Sequence, residues 1–195
     1  MVTAGNAGAA RAERGPGEAW PDAFPAALAG LIRDVPDYPQ PGVMFKDITP
    51  LLADPAGFGA TVTALAGGHD RVDKVVGIEA RGFILAAPVA FKLGVGFVPV
   101  RKLGKLPAAT LAQTYQLEYG TATVEVHVDS FAQGDRVLII DDVLATGGTA
   151  AATAELVRRC GAEVTALSVL IELGFLGGRA SLAGHGIDVH ALISL

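Results

Sequence analysis

Within nine residues the chain sets two acids, two threonines and two glycines (Asp141, Asp142, Thr146, Gly147, Gly148 and Thr149) directly behind the apolar run Val137-Leu138-Ile139-Ile140. Glycines have no Cβ, so backbone N–H groups there can approach an anion closely, and the threonines add hydroxyl donors. Carboxylates beside such a cradle would repel a phosphate and must therefore face another part of the ligand. As pure acceptors they suit the vicinal hydroxyls of a ribose. A sugar phosphate satisfies all six side chains at once. The plainer alternative is a turn before a helix, with both aspartates in solvent, and the density of polar groups in so short a stretch speaks against it. The pattern is neither a Walker loop, which needs a Lys before the Ser/Thr, nor the spaced glycines of a dinucleotide site.

Cations recur at two other places. Arg81 follows the apolar run Lys74-Val75-Val76-Gly77-Ile78 in Glu79-Ala80-Arg81-Gly82, where its planar fork could hold pyrophosphate oxygens. Arg101, Lys102 and Lys105 cluster around Gly104 and Pro107. Such a cluster is ordinarily a solvated turn, but the polar, aperiodic stretch from Pro107 to Tyr119 is long enough to read as a functional lid. The proline-rich segment 37–50 reads as a stiffly shaped loop carrying Val43-Met44-Phe45-Lys46. Taken alone, it could be a connector whose Phe45 plugs the core.

These stretches resemble a known family. Asp141-Asp142-Val143-Leu144-Ala145-Thr146-Gly147-Gly148-Thr149 resembles the phosphoribosyl-pyrophosphate (PRPP) loop of type I phosphoribosyltransferases. Arg101-Lys102-Leu103-Gly104-Lys105-Leu106-Pro107 and Tyr115-Gln116-Leu117-Glu118-Tyr119-Gly120 resemble the mobile loop of the adenine-specific members. The resemblance covers about residues 24–195. It implies the reaction adenine + PRPP ⇌ AMP + pyrophosphate, with Mg²⁺ carried on the substrate pyrophosphate. It assigns Asp141 and Asp142 to the ribose hydroxyls and Thr146 to Thr149 to the 5′-phosphate. Arg81, Arg101, Lys102 and Lys105 fall to the pyrophosphate, Glu118 to acid/base work, and Tyr119 to the substrate beside it. Backbone groups of Met44 and Lys46 would read the purine edge from a hood over about 36–50, with the Phe45 ring on its face. Ala145 stands where the 6-oxopurine relatives carry a third aspartate, which favours adenine. Leu103 and Lys46 depart from some relatives, and Leu103 removes one cation. A homodimer, with Arg81 near the subunit contact, is implied on the same ground. A transferase for another purine base and a non-catalytic PRPP- or nucleotide-binding regulator stay open as alternatives.

The elements that must position these groups follow from pattern. Val137 to Ile140 lacks alternation and is rich in β-branching, as in a strand buried on both faces of a parallel sheet, and residues 149–159 favour helix. Strands are likewise expected over 74–78, 95–100, 163–173 and 188–195, giving an α/β domain with a central, mainly parallel sheet of about five strands flanked by helices, for which the resemblance implies the type I phosphoribosyltransferase fold. The alternating 121–128 reads as a half-buried strand returning from a lid over about 101–120, with His127 on its exposed face. Helices are expected over 24–35, from the Asp54-Pro55 cap onward, and over 83–93. Residues 1–20, rich in Ala and Gly, read as a disordered tail, and 21–195 as one domain.

With 195 residues the chain suffices for one substantial core. Apolar residues make up 51%, yet no run reaches the roughly 20 needed to span a membrane. The net charge of −5 argues against general nucleic-acid binding. A single cysteine, Cys160, excludes an internal disulfide, and the absence of a basic stretch before an apolar one leaves no secretory signal. A cytoplasmic setting is expected.

Overall fold

The structure, a computed structural model, describes residues 23–69, 71–116 and 120–195. The expected tail, Glu118 and Tyr119 lie outside the described residues. Helix α1 (Ala23–Ala29) ends earlier than its apolar spacing suggests. Gly30, which costs a helix about 1 kcal/mol relative to Ala, closes it, and the chain turns out of it. Residues Arg33–Val35 then form strand β1, paired antiparallel with β2 (Phe45–Asp47). The hood segment expected as an irregular loop is therefore half of a two-stranded ribbon. Two helices follow, α2 (Thr49–Ala53) and α3 (Pro55–Ala66). The second is capped as its sequence indicates, with Gly57 N donating to the Asp54 carboxylate at 2.6 Å.

The main sheet has seven strands rather than about five. Five are parallel neighbours: β3 (Lys74–Ile78), β4 (Gly96–Lys102), β7 (Arg136–Leu144), β8 (Glu163–Glu172) and β9 (Val189–Ser194). The other two, β5 (Thr110–Gln116) and β6 (Thr121–His127), form an antiparallel hairpin that joins the edge through β6 and β4, in the order β5-β6-β4-β3-β7-β8-β9. So most of the segment expected as an aperiodic lid is a paired strand, whose polar side chains are tolerated because it lies at the sheet edge. His127, expected in solvent, is only partly exposed, and its Nε2 is buried without a hydrogen-bond partner among the described residues.

Helix α4 (Arg81–Leu93) packs with α1 and α3 on one face, around Leu65, Leu85, Val89 and Leu138. Helix α5 (Gly148–Arg159) and the short α6 (Gly178–Gly184) cover the other, around Val76, Ile139, Leu156 and Leu182. Val137, Leu138, Ile139 and Ile140 are all at 0% exposure. Burying each such side chain stabilises by about 1.5–3 kcal/mol, so the acid pair stands at the end of the most firmly held strand.

Successive connections run outward from β3 to β4 on one side and from β7 to β8 and β9 on the other. The crevice beyond the carboxyl ends of β3 and β7 is thus a topological switch point, where open α/β sheets bind ligands.

Candidate active site

Strand β7 runs further than its apolar core predicts, so Asp141 and Asp142 are its last turn of pleat rather than part of the loop: Asp141 pairs with Val169 of β8, and the ladder continues to Leu144. The two carboxylates stay close to each other and to the start of α4, where a Cβ on Gly82 would meet Asp141 Oδ1 at 2.8 Å. Asp141 lines a pocket together with Ala145, Thr146, Gly147, Gly148 and Thr149. Asp142, at 5% exposure, turns toward α4, where Arg81 Nη2 lies 2.7 Å from its Oδ2, close enough for an ion pair but not aligned as a hydrogen bond. Burial, and then the charge of Asp142, raise the Asp141 carboxyl well above the ordinary carboxylate range. Burial raises Asp142 as well, against the pull of Arg81.

The loop ends in Gly147, at φ +87°, which lets the chain swing into α5. No side chain caps that helix. Its first free N–H groups therefore face the pocket, in the arrangement that favours a phosphate. A second glycine makes the turn possible from below. A Cβ on Gly147 would meet Gly178 O at 3.1 Å, and one on Gly178 would overlap the Ala145 carbonyl. The two backbones touch directly. The segment bearing Gly178 is anchored by Arg179, whose Nε donates to Glu172 Oε1 at 2.9 Å and whose Nη1 donates to Val189 O at 2.6 Å.

Arg81 reaches three groups. Besides Asp142 it approaches the Lys46 carbonyl at 3.5 Å, and its guanidinium carbon lies 4.9 Å from the centre of the Phe45 ring. Tyr38 meets that ring edge-on at 5.0 Å. The structure thus brings the hood to the switch point through Arg81, while Met44 stands half in solvent.

The basic cluster lies where the ladder of β4 ends. Glu79 receives the Lys102 N–H at 2.9 Å, and both Arg101 Nε and Lys105 Nζ lie 3.5 Å from its carboxylate. Burial pushes Glu79 up, but Lys102, Lys105 and Arg101 outweigh it and hold the carboxyl below its usual value. Arg101 Nε is buried without a hydrogen-bond partner among the described residues. Across the crevice the hairpin meets the loop: Thr149 Oγ1 donates to Tyr115 Oη at 3.0 Å, and Arg159 Nη1 of α5 donates to Ala112 O at 2.9 Å.

Sequence reasoning passed over Glu79, Tyr115, Glu125 and Gly178 as site-forming residues. Glu79 was visible as an acid at a strand end, beside the Arg81 that drew attention. Glu125 sits in a polar-apolar alternation that assigns it to solvent, whereas the turn before β5 folds over it and leaves it 3% exposed.

The phosphoribosyl transferase domain model matches residues 52–178, and the chain belongs to that family. The chain is 68% identical over 177 residues to the adenine phosphoribosyltransferase of Streptomyces galbus, covering 88% of this chain and 97% of that one. Among solved structures it superposes on the adenine phosphoribosyltransferase of Rhodothermus marinus with a TM-score of 0.84 at 53% identity, over 88% of this chain and 98% of that one. The enzyme of Saccharomyces cerevisiae, solved with an imino-altritol bisphosphate and adenine, matches with a TM-score of 0.82 at 36% identity, over 87% and 98% of the two chains. Within the family its place is among the adenine phosphoribosyltransferases.

Proposed function

We infer that the protein transfers the 5-phosphoribosyl group of PRPP to a ring nitrogen of adenine, releasing pyrophosphate and forming AMP for purine salvage. The observation that carries this is the uncapped N-terminus of α5, opened by Gly147 and lined by Thr146 and Thr149, with Asp141 facing the same pocket from the end of β7. One half of that arrangement suits the 5′-phosphate and the other the ribose hydroxyls.

Breaking the ribosyl C–O bond develops positive charge on the sugar and negative charge on the leaving group, so the site must supply anion clamps that are in place beforehand. Arg101, Lys102 and Lys105 meet that need from the rim of β4, and Arg101 Nε, paired with Glu79 by charge but not hydrogen-bonded among the described residues, keeps a buried donor available. Arg81 positions Asp142 and the hood, and its charge offsets that of the two acids. Asp142 steadies Arg81, and Asp141 is the acid that reaches a ribose hydroxyl. Glu118, which follows β5 in the sequence, is the candidate to exchange a proton with the purine, and Tyr119 next to it in the chain is a further candidate to bind the substrate. The hood ring Phe45 and the backbone at Met44 and Lys46 hold the base, and the methyl group of Ala145 leaves room without offering a charge.

Mg²⁺ takes oxygen ligands and keeps water and phosphate oxygens rather than demanding a protein cage. Among the described residues no group of three or more His, Cys, Asp or Glu side chains could cage a metal. The hard oxygens of Asp141 fit a Mg²⁺ bound mainly by the substrate. When present, the ion neutralises the pyrophosphate oxygens as they leave.

The apolar side chains Phe91 (89% exposed), Ile84 and Phe97 stand on α4 and β4 beyond Arg81, and a second copy of the chain covering them would give the homodimer. No helix among the described residues is long and apolar enough to cross a membrane, and a cytoplasmic setting suits these substrates.

The test is AMP formation from PRPP and Mg²⁺ with adenine, hypoxanthine, guanine and xanthine in parallel. Turnover of adenine alone, or at least 100-fold better than the rest, is expected. Comparable turnover of a 6-oxopurine would overturn the assignment. With adenine, Glu118→Gln should lower kcat by roughly 10²–10⁴-fold, the usual contribution of a general acid/base.

A further inference from the structure

Glu125 is a buried acid with no cation of its own. It lies on β6 opposite Arg101 of β4, at 3% exposure, and among the described residues no Lys, Arg or His side chain forms an ion pair with it. Its partners are instead the chain that leaves β4. Oε1 accepts the N–H groups of Lys105 at 2.9 Å and Leu106 at 3.0 Å, and Oε2 accepts the Thr110 hydroxyl at 3.3 Å. One carboxylate thus joins both ends of the connection between β4 and β5. Burial raises its carboxyl, but the backbone donors of Leu106 and Lys105, the Thr110 hydroxyl and the Gly104 N–H prevail, so it stays ionised.

That turn has a second tie. Arg101 Nη1 donates to Lys105 O at 2.9 Å, so residue 105 is fixed at its N–H by Glu125 and at its carbonyl by Arg101. With both peptide groups held, the Lys105 side chain is launched in one direction, toward Glu79 and the crevice. Gly104, at φ +81°, makes the reversal that allows this. A turn closed only by solvent would leave Lys105 free to sweep the surface, and an anion would have to order it on arrival. A buried acceptor that costs desolvation, and could be replaced by an apolar side chain if only strand packing mattered, has its use in this preorganisation.

We propose that Glu125 is a positioning residue for pyrophosphate, acting through the backbone of Lys105 and Leu106 to aim the Lys105 side chain at the leaving group of PRPP. This rests on the assignment of the basic cluster to pyrophosphate made above. Glu125 itself touches no substrate.

The experiment is steady-state kinetics and pyrophosphate binding for Glu125→Gln and Glu125→Ala, each in the wild-type and Lys105→Ala backgrounds, with melting temperatures measured alongside. Glu125→Gln keeps the volume and one acceptor oxygen, and charge-assisted hydrogen bonds are about twice as strong as neutral ones. It should raise the KM for PRPP and the Kd for Mg²⁺-pyrophosphate by about 5-fold, with the KM for adenine within 2-fold of wild type. Glu125→Ala should raise the same two constants more, and if it fails to fold the Gln variant decides alone. In the Lys105→Ala background the Gln effect should shrink below 2-fold, because two residues acting in series do not add. Equal movement of the adenine KM, no movement of either pyrophosphate-side constant, or a full effect without Lys105 overturns the proposal. Failure of the wild-type enzyme to use PRPP would strike instead at the function assigned above.

Discussion

The hydroxyl of Thr149 donates to the phenolic oxygen of Tyr115 at 3.0 Å, tying the first turn of α5 to the strand that leads into the hairpin tip. A Cβ on Gly148 would stand 3.3 Å from Gln116 O, so the same strand presses on the loop at a second point. The loop at α5 and strand β5 are therefore neighbours before any ligand arrives. Tyr115→Phe keeps the ring and deletes the bond. It should raise the KM for PRPP by about 3–10-fold, the range of one ordinary hydrogen bond, and leave the KM for adenine unchanged. Initial-rate measurements with each substrate varied in turn check this.

Asp141 carries a pH signature. Its carboxyl is raised in the folded protein, by burial and then by Asp142. Below the unfolded-state value of about 3.9 both states hold the proton and the group is neutral to stability. Above it the unfolded chain releases the proton first, so stability falls as pH rises through the window up to the folded value. Asp141→Asn removes that loss while Asn Oδ1 can still accept the Asp142 N–H. Its melting temperature should exceed the wild type by a few degrees at pH 7.5, the gain should shrink as pH is lowered toward 4, and PRPP affinity should fall. A scan of melting temperature against pH, with and without PRPP, decides it.

Arg81 serves Asp142, the Lys46 carbonyl and the Phe45 ring at once. A lysine keeps the charge but not the planar fork, and cannot meet three partners in different directions. Arg81→Lys should therefore raise the KM for both adenine and PRPP, by about 10-fold each if each lost contact is worth roughly 1–1.5 kcal/mol. An effect confined to one substrate would show that the hood and the acid pair are independent.

Gly178→Ala places a methyl group against the Ala145 carbonyl and Leu144, in a region where backbone faces backbone. Overpacking of this kind costs about 1–3 kcal/mol. The loop is the softer partner, so the expected result is a KM for PRPP raised by about 10-fold or more with a modest loss in melting temperature.

How much of this was legible in the sequence depends on the range of the forces involved. The five parallel strands announce themselves because burial on both faces writes a continuous apolar run, as in Val137 to Ile140. The loop Ala145 to Thr149 is legible because helix-opening chemistry is local. The hairpin β5–β6 was half hidden: β6 alternates, but Thr110 to Gln116 is polar on both sides and becomes a strand only through pairing with β6 and the reach of Arg159 from α5. Glu125 was misplaced for the same reason, since what buries it is a turn twenty residues earlier in the chain. Arg81 stood out in the sequence as a cation at a strand end, yet its contacts with Asp142 and Phe45 depend on three separate segments converging, which no single stretch encodes.

The contact between Gly147 and Gly178 bears on how this enzyme can drift over generations. A Cβ on Gly147 would meet the Gly178 carbonyl and one on Gly178 the Ala145 carbonyl, and a main-chain carbonyl, unlike a side chain, cannot be made smaller by substitution. Room for a side chain at either position must therefore come from movement of the loop that carries Ala145 to Gly147. The turn into α5 thus draws its shape from a segment more than thirty residues further along the chain, and a change in that segment reaches the pocket without touching it.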